Sequence, residues 1–404
     1  MGTEPLYRYG LIAIAALLPT YLVRFSVLGI PTNVLEVLII GVTIAGFLQP
    51  TMRRSWKEVM WVLPWPVATC LLLFVAAAVV STIISPHPET SLGVLKGWIL
   101  VPLLYAAQVY IATWRFPKIR DYILNALITS GVVVALIGIS QIGTLDRIRS
   151  VYDVPASLAL FLAPLIVLAV FTRIKIGGWQ INYLMAGTMF IALLGTKSLA
   201  GILTVIVVLF LGTISLRPHI QLTRKPLVLI SVSILLVIAV WVSVQKTSYL
   251  LQPASSAYVR LQLWDISGEL IRENPILGIG LGTFEPAYQG KLHERFESFK
   301  NSRSQKKPLS EFVYRDPHSL VLSFWLNTGL VGVGAFLVLH VWIFYQRGLK
   351  FSVALALFVL ILFGFTDTIF WKNDLAILHF VLIALTLGSL RQYKVLLPAQ
   401  QIEG

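Results

Sequence analysis

The sequence holds one cysteine in 404 residues, Cys70, inside an apolar run. That excludes a disulfide framework, a cysteine zinc site and CxxC redox chemistry. Charge is scarce as well: Asp, Glu, Lys and Arg make up 12% of the chain, about half the share of an ordinary soluble domain. None of the six histidines stands in HxH or HxxxH spacing, so the sequence gives no metal ligands, and no cofactor is expected. Acids near the apolar runs are few, with Glu36 and Asp367 close to their ends, which speaks against a proton-coupled transporter with a mid-span carboxylate. Gly278-Ile279-Gly280-Leu281-Gly282 lacks the full GxGxxG spacing and any βαβ context. These glycines therefore read as permitting a close turn against the membrane rather than as a dinucleotide loop.

What is present is apolar. Hydrophobic residues make up 57% of the chain and the mean hydropathy is +0.82, values that place it in a bilayer. A hydrocarbon core about 30 Å thick needs roughly 20 apolar residues per helix. Windows of that kind run approximately over 9–28, 33–50, 64–85, 93–112, 122–142, 156–172, 178–195, 198–216, 227–244, 318–345, 350–366 and 374–390. The expected fold is an all-α polytopic membrane protein with about 12 transmembrane helices and no internal repeat. The first run has no small-residue cleavage site and reads as a retained helix.

Net charge is +14. With the N-terminus in the cytoplasm, the inner segments hold sixteen Lys/Arg, and the outer ones, apart from one long loop, hold six: Arg24, Lys96, Arg147, Arg149, Lys197 and Lys372. This bias obeys the positive-inside rule and puts both termini in the cytoplasm. Half the basic residues thus report topology, and nucleic-acid binding is not expected.

The expected organisation is a nine-helix membrane region over 1–244, an outer loop over 245–317, and a three-helix region with a cytoplasmic tail over 318–404. From Gln245 to Asp316 the loop carries ten Lys/Arg and eight Asp/Glu. Within it, 257–273 has near-helical apolar spacing closed by Asn274-Pro275, as for an amphipathic helix lying on the outer membrane face. A second polar stretch, from Lys291 onward, reads as a further candidate helix.

Candidate chemistry lies on the outer side. Arg260 stands one turn before Trp264. Together with Lys197 at a tight turn, Arg147 and Arg149 before Tyr152-Asp153, and Arg315, it would supply cations for an anionic headgroup. A diphosphate is the group that bidentate Arg rewards most. His318 follows Asp316, suited to an N-cap, and Pro317, suited to a first helical position. A helix N-terminus disfavours imidazolium while Asp316 favours it, and a neutral ring there would serve as general base.

These pieces resemble the O-antigen ligase and polymerase superfamily. Arg260-x3-Trp264, then Pro275-Ile276-Leu277-Gly278-Ile279-Gly280-Leu281-Gly282-Thr283-Phe284, then Pro317-His318, then Gly329-Leu330-Val331-Gly332 follow its R-x3-W, PLxGxGxGxF, His-Asn and GLxG order over about 73 residues. Arg149 to Leu160, and Thr196-Lys197-Ser198 with Gly201, resemble two further segments. Ser319, Ala156 and Asn327 stand where that family usually has Asn, Asn and Glu, and Lys197 or Leu199 stands where it has Arg.

The resemblance implies a GT-C-type, inverting, metal-independent glycosyltransferase of the bacterial inner membrane, with its active site on the periplasmic side. Its donor would be a glycan on undecaprenyl diphosphate, held by Arg260, Lys197, Arg149, Arg147 and Arg315. Arg260 and His318 would be catalytic, and the first expected acceptor is a lipid A core sugar. O-antigen polymerase and protein O-oligosaccharyltransferase are alternatives that differ in acceptor; a secondary transporter or lipid flippase is the alternative of another class.

Overall fold

The computed structural model describes residues 3–27, 30–116, 118–176, 179–215, 256–301, 314–346, 349–368 and 372–400. The chain is mostly helical. Among the described residues, five helices are long and apolar enough to cross a membrane: Trp65–Ile83 (α4), the continuous run Pro88–Arg115, Ile119–Ile139 (α7), Leu320–Tyr345 (α13) and the Asn373–Leu390 part of α15 (Asn373–Gln400). The run Pro88–Arg115 is α5 (Pro88–Val94), a π-helical turn over Leu95–Leu100, and α6 (Val101–Arg115). Pro155–Phe171 (α8), Asn182–Gly195 (α9), Leu199–Ser215 (α10) and Phe351–Gly364 (α14) are apolar but shorter. The expected ninth span, 227–244, lies outside the described residues.

Two windows differ from expectation. The first is not one helix: α1 (Thr3–Ala16) ends early, and Pro19 opens a 3-10 turn over Leu18–Leu22. Proline cannot donate to the preceding turn and clashes with it, which is why the α-helix stops. An antiparallel ribbon, β1 (Arg24–Val27) with β2 (Ile30–Asn33), then leads into α2 (Val34–Phe47), where Asn33 caps the Glu36 amide. A second ribbon pairs β3 (Lys175–Ile176) with β4 (Trp179–Gln180). The second difference is a bend of 101° after α2, where α3 (Pro50–Val62) turns aside before α4.

The bundle packs α13 along α4, α15 along α6, and α14 along α8. Between them lies one continuous apolar core, in which α8 is buried nearly all round, including Pro164.

The polar segment folds as two helices, α11 (Ser256–Glu273) and α12 (Phe284–Asn301). Leu263, Ile266 and Leu270 of α11 meet Phe284, Tyr288 and Leu292 of α12 in a small separate core that is seated on Leu326 of α13. Charge matching fixes the pair: Arg295 reaches Asp265 at 2.9 Å and Glu269 at 2.6 Å, and Lys291 reaches Glu273 at 2.8 Å. The near balance of acids and bases in this stretch thus serves helix pairing.

The glycine-rich turn inserts into a break in α13. Gly329 has φ 65 and ψ −171, so the helical bond from the Leu330 amide to the Leu326 carbonyl is lost. The Leu330 amide donates instead to Pro275 and Ile276 carbonyls at 3.1 and 3.2 Å, and the Leu326 carbonyl accepts from the Ile279 amide at 2.8 Å. Asn327 Oδ1 accepts from the Gly282 amide at 2.6 Å, and Trp325 donates to the Pro275 carbonyl at 2.9 Å. The backbones approach so closely that a Cβ on Gly329 would lie 1.8 Å from the Ile276 oxygen, and one on Gly278 2.3 Å from the Leu326 oxygen. Gly329→Ala is therefore expected to cost about 2 kcal/mol or more from strain and lost bonds, read as a lowered unfolding midpoint in detergent. Gly290→Ala, in open space on α12, should leave it unchanged or raise it.

Candidate functional site

Helix α11 carries Arg260 and Trp264 one turn apart, with Trp264 bordering the small core shared with α12. The Trp264 indole donates to the Pro317 carbonyl at 3.1 Å, and Arg260 Nε donates to the Thr366 carbonyl at 3.0 Å. The R-x3-W spacing thus clasps the two strands of chain that carry His318 and Asp367.

His318 does not lie inside a helix. Helix α13 begins at Leu320 with Ser319 as its N-cap, so Asp316 is not the cap and Pro317 not the first helical residue. The Asp316 carboxylate accepts from the His318 amide at 2.8 Å, a local turn that competes with helix. His318 is held at φ 49, a left-handed conformation that costs energy in a non-glycine residue. Ser150 and Lys197 are the two other non-glycine residues with positive φ among the described ones.

The ring sits between two carboxylates. His318 Nδ1 lies 3.0 Å from Asp367 Oδ1 and 3.8 Å from Asp316 Oδ1, and the edge of the ring meets Tyr314. Burial pulls the imidazole down, but the hydrogen bond and charge of Asp367, with Asp316 adding to them, outweigh it and hold the ring at about 9. The expectation of a neutral imidazole is thereby corrected: the carboxylates dominate over the helix terminus, and at neutral pH the resting ring is mostly protonated. Asp316 is pushed up to about 6 by burial, against the His318 charge. Asp367, also subject to burial, is nevertheless held below the usual range by its bond to His318. Arg260 contributes to the field at all three groups.

With Nδ1 committed to Asp367, Nε2 is the nitrogen left to exchange a proton with a substrate. A carboxylate orienting an imidazole in this way is the arrangement by which hydroxyl groups are deprotonated for attack. One donor atom from each of Asp316, His318 and Asp367 also falls within 4.8 Å of the others, a donor set that a divalent cation could use. The positive field of Arg260 at these groups disfavours a second cation there.

Lys197, Arg147 and Arg149 form a second group, and Arg315 stands apart from it beside α12. Lys197 Nζ bonds Asp146 Oδ1 at 2.5 Å, with both side chains largely exposed, and draws that carboxyl below its usual range. Arg147 donates to the Thr196 carbonyl at 2.9 Å and Arg149 to the Asp153 carbonyl at 3.2 Å. Arg315 is exposed and lies 4.0 Å from Glu285. The two groups meet through the connection from α14 to α15: Asp153 pairs with Lys372 at 3.3 Å, and Tyr152 donates to Asp374 at 2.7 Å. Gly201, at the start of α10, packs on Phe363 at the end of α14.

That connection is what the sequence reading missed. Asp367 carries its own signal, an acid at the end of an apolar run, where a charge needs a partner; the partner is His318, 49 residues away.

Residues 184–337 match the family model described as O-antigen ligase. The matched stretch is less than half of the chain; it contains Lys197, Arg260, the glycine turn and His318 and ends within α13, before Asp367. It supports the O-antigen ligase and polymerase superfamily that the motifs resemble. No curated protein matches the chain.

Asp367→Asn should move the His318 titration down from about 9, because the hydrogen bond and charge that oppose burial are weakened. Side-chain ¹⁵N shifts of the imidazole over pH 5 to 10 would check this; an unmoved titration would remove Asp367 as the cause.

Proposed function

We propose that the chain transfers a glycan from undecaprenyl diphosphate to an acceptor sugar hydroxyl, the first acceptor to test being a lipid A core sugar. The observation that carries this reading is the Asp367-His318 pair standing beside Arg260, with Arg260 and His318 in the stretch that matches the O-antigen ligase family. His318 Nε2 takes the proton of the acceptor hydroxyl as its oxygen attacks the anomeric carbon. The bond from that carbon to the phosphate oxygen breaks, its electron pair leaves with the diphosphate, and the configuration inverts. Asp367 holds the ring and stabilises the imidazolium that forms.

Arg260 and Lys197, with Arg147, Arg149 and Arg315 as further cations, receive the diphosphate. At an effective dielectric near 20, one close charge pair is worth on the order of 4 kcal/mol before desolvation. The Lys197–Asp146 pair is exposed and therefore weak, so a doubly charged donor displaces Asp146 at little cost. In this reading the fold is a GT-C-type bundle of about twelve helices in the bacterial inner membrane, with both termini cytoplasmic and the site periplasmic. Catalysis is metal-independent, because the guanidinium and ammonium groups match the leaving charge.

Reconstitution with a polyprenyl-diphosphate glycan, offering lipid A core, a second lipid-linked glycan and a peptide in turn, assigns the acceptor by product identity. His318→Ala should lower kcat roughly 10²–10⁴-fold, and Arg260→Ala roughly 10²–10³-fold, with the folded protein retained in detergent. Wild-type kcat/KM should rise with pH toward about 9, since only the deprotonated ring of the free enzyme accepts a proton. Asp146→Asn should lower the donor KM, the opposite of a structural loss. Chelation should leave turnover unchanged; loss restored by a divalent cation would reassign Asp316, His318 and Asp367 as its ligands.

A further inference from the structure

The far end of the bundle holds a second polar arrangement that glycosyl transfer does not use. Glu36, in the first turn of α2, is bridged by Asn373 to the end that carries His318, so Phe47 and the bend after it lie at the opposite end. There α3 runs at 101° to α2. Met52 and Ser55 are buried, and Trp56 stacks on Phe47 with centroids 5.4 Å apart. Arg53, Arg54 and Lys57 are exposed.

The charges do not cancel locally. Glu58 is shared by Arg54 and Arg115, both at 3.3 Å. Arg53 and Lys57 have no carboxylate partner among the described residues, and the Arg53 side chain bonds only the Phe47 carbonyl, at 3.2 Å. Two buried donors lie on the same stretch. Gln49, 4% exposed at the elbow, has neither amide atom hydrogen-bonded among the described residues, and neither has the Trp56 indole nitrogen. Gln49, Arg53, Trp56 and Lys57 fall at i, i+4, i+7 and i+8, one stripe of a helix. A buried polar group without a partner needs one, and here the unmatched donors stand beside unmatched cations.

We propose that this elbow binds the headgroup of an anionic phospholipid from the adjoining leaflet. Arg53 and Lys57 take the phosphate charge, and Gln49 and Trp56 donate to phosphate or ester oxygens. A basic helix in the interface plane is suited to anionic lipid in both geometry and charge.

The test uses the full chain in bilayers of phosphatidylcholine doped with spin-labelled phosphatidylglycerol or spin-labelled phosphatidylcholine, reading the motionally restricted fraction. The wild type should prefer phosphatidylglycerol, and Arg53→Gln with Lys57→Gln should cut the preference roughly fivefold for each charge removed. Gln49→Leu, with charge kept, should cut it as well, while Arg173→Gln with Lys175→Gln should not. Unfolding midpoints in pure phosphatidylcholine check that each variant folds. The proposal is overturned by a wild type without preference, by an undiminished preference in the Arg53/Lys57 or Gln49 variant, or by an equal loss in the Arg173/Lys175 variant.

Discussion

The structure depends on one exchange of hydrogen bonds. A helix in a hydrocarbon environment must satisfy every backbone amide and carbonyl from protein, and α13 gives up its own bond between Leu330 and Leu326 at Gly329. Both freed groups are taken by the 275–279 backbone. The glycines are required because the two backbones meet where no Cβ fits, and both chains depart from ordinary φ there. The exchange fixes the polar pair α11 and α12 to the bundle, and through it the placement of Arg260 beside the segment that carries His318.

Given that fixed frame, the site is an electrostatic compromise. Two carboxylates, one imidazole and one guanidinium share a confined space, where burial penalises each charge and the opposite charges offset one another. Protonation is coupled across them: His318 is held up, Asp367 down and Asp316 up. A substrate that brings negative charge against Arg260 changes that balance, so the proton affinity of the ring answers to what is bound.

Legibility in the sequence followed the range of each interaction. Helix α11 could be read to within a residue because its apolar period and its Asn274-Pro275 stop are local. The division between the windows 178–195 and 198–216, read at Gly195-Thr196-Lys197, likewise falls on a short local turn. His318 and Arg260 were found by type and spacing. Asp367 was visible only as an unexplained acid, since its partner comes from another helix. The protonation of His318 was misjudged for the same reason: the Asp316 turn moved the helix start to Leu320, and Asp367 supplied a field that adjacent residues could not reveal. The glycine turn was read as a close approach to membrane; its neighbour is the broken helix.

Three contacts that hold the site in place share an acceptor type. Arg260, Trp264 and Trp325 donate to the carbonyls of Thr366, Pro317 and Pro275, and every residue type carries such a carbonyl. Position 366 can therefore drift through evolution without losing its bond to the guanidinium. Pairwise covariation across homologues would leave the clasp between Arg260 and position 366 silent, since the acceptor is backbone.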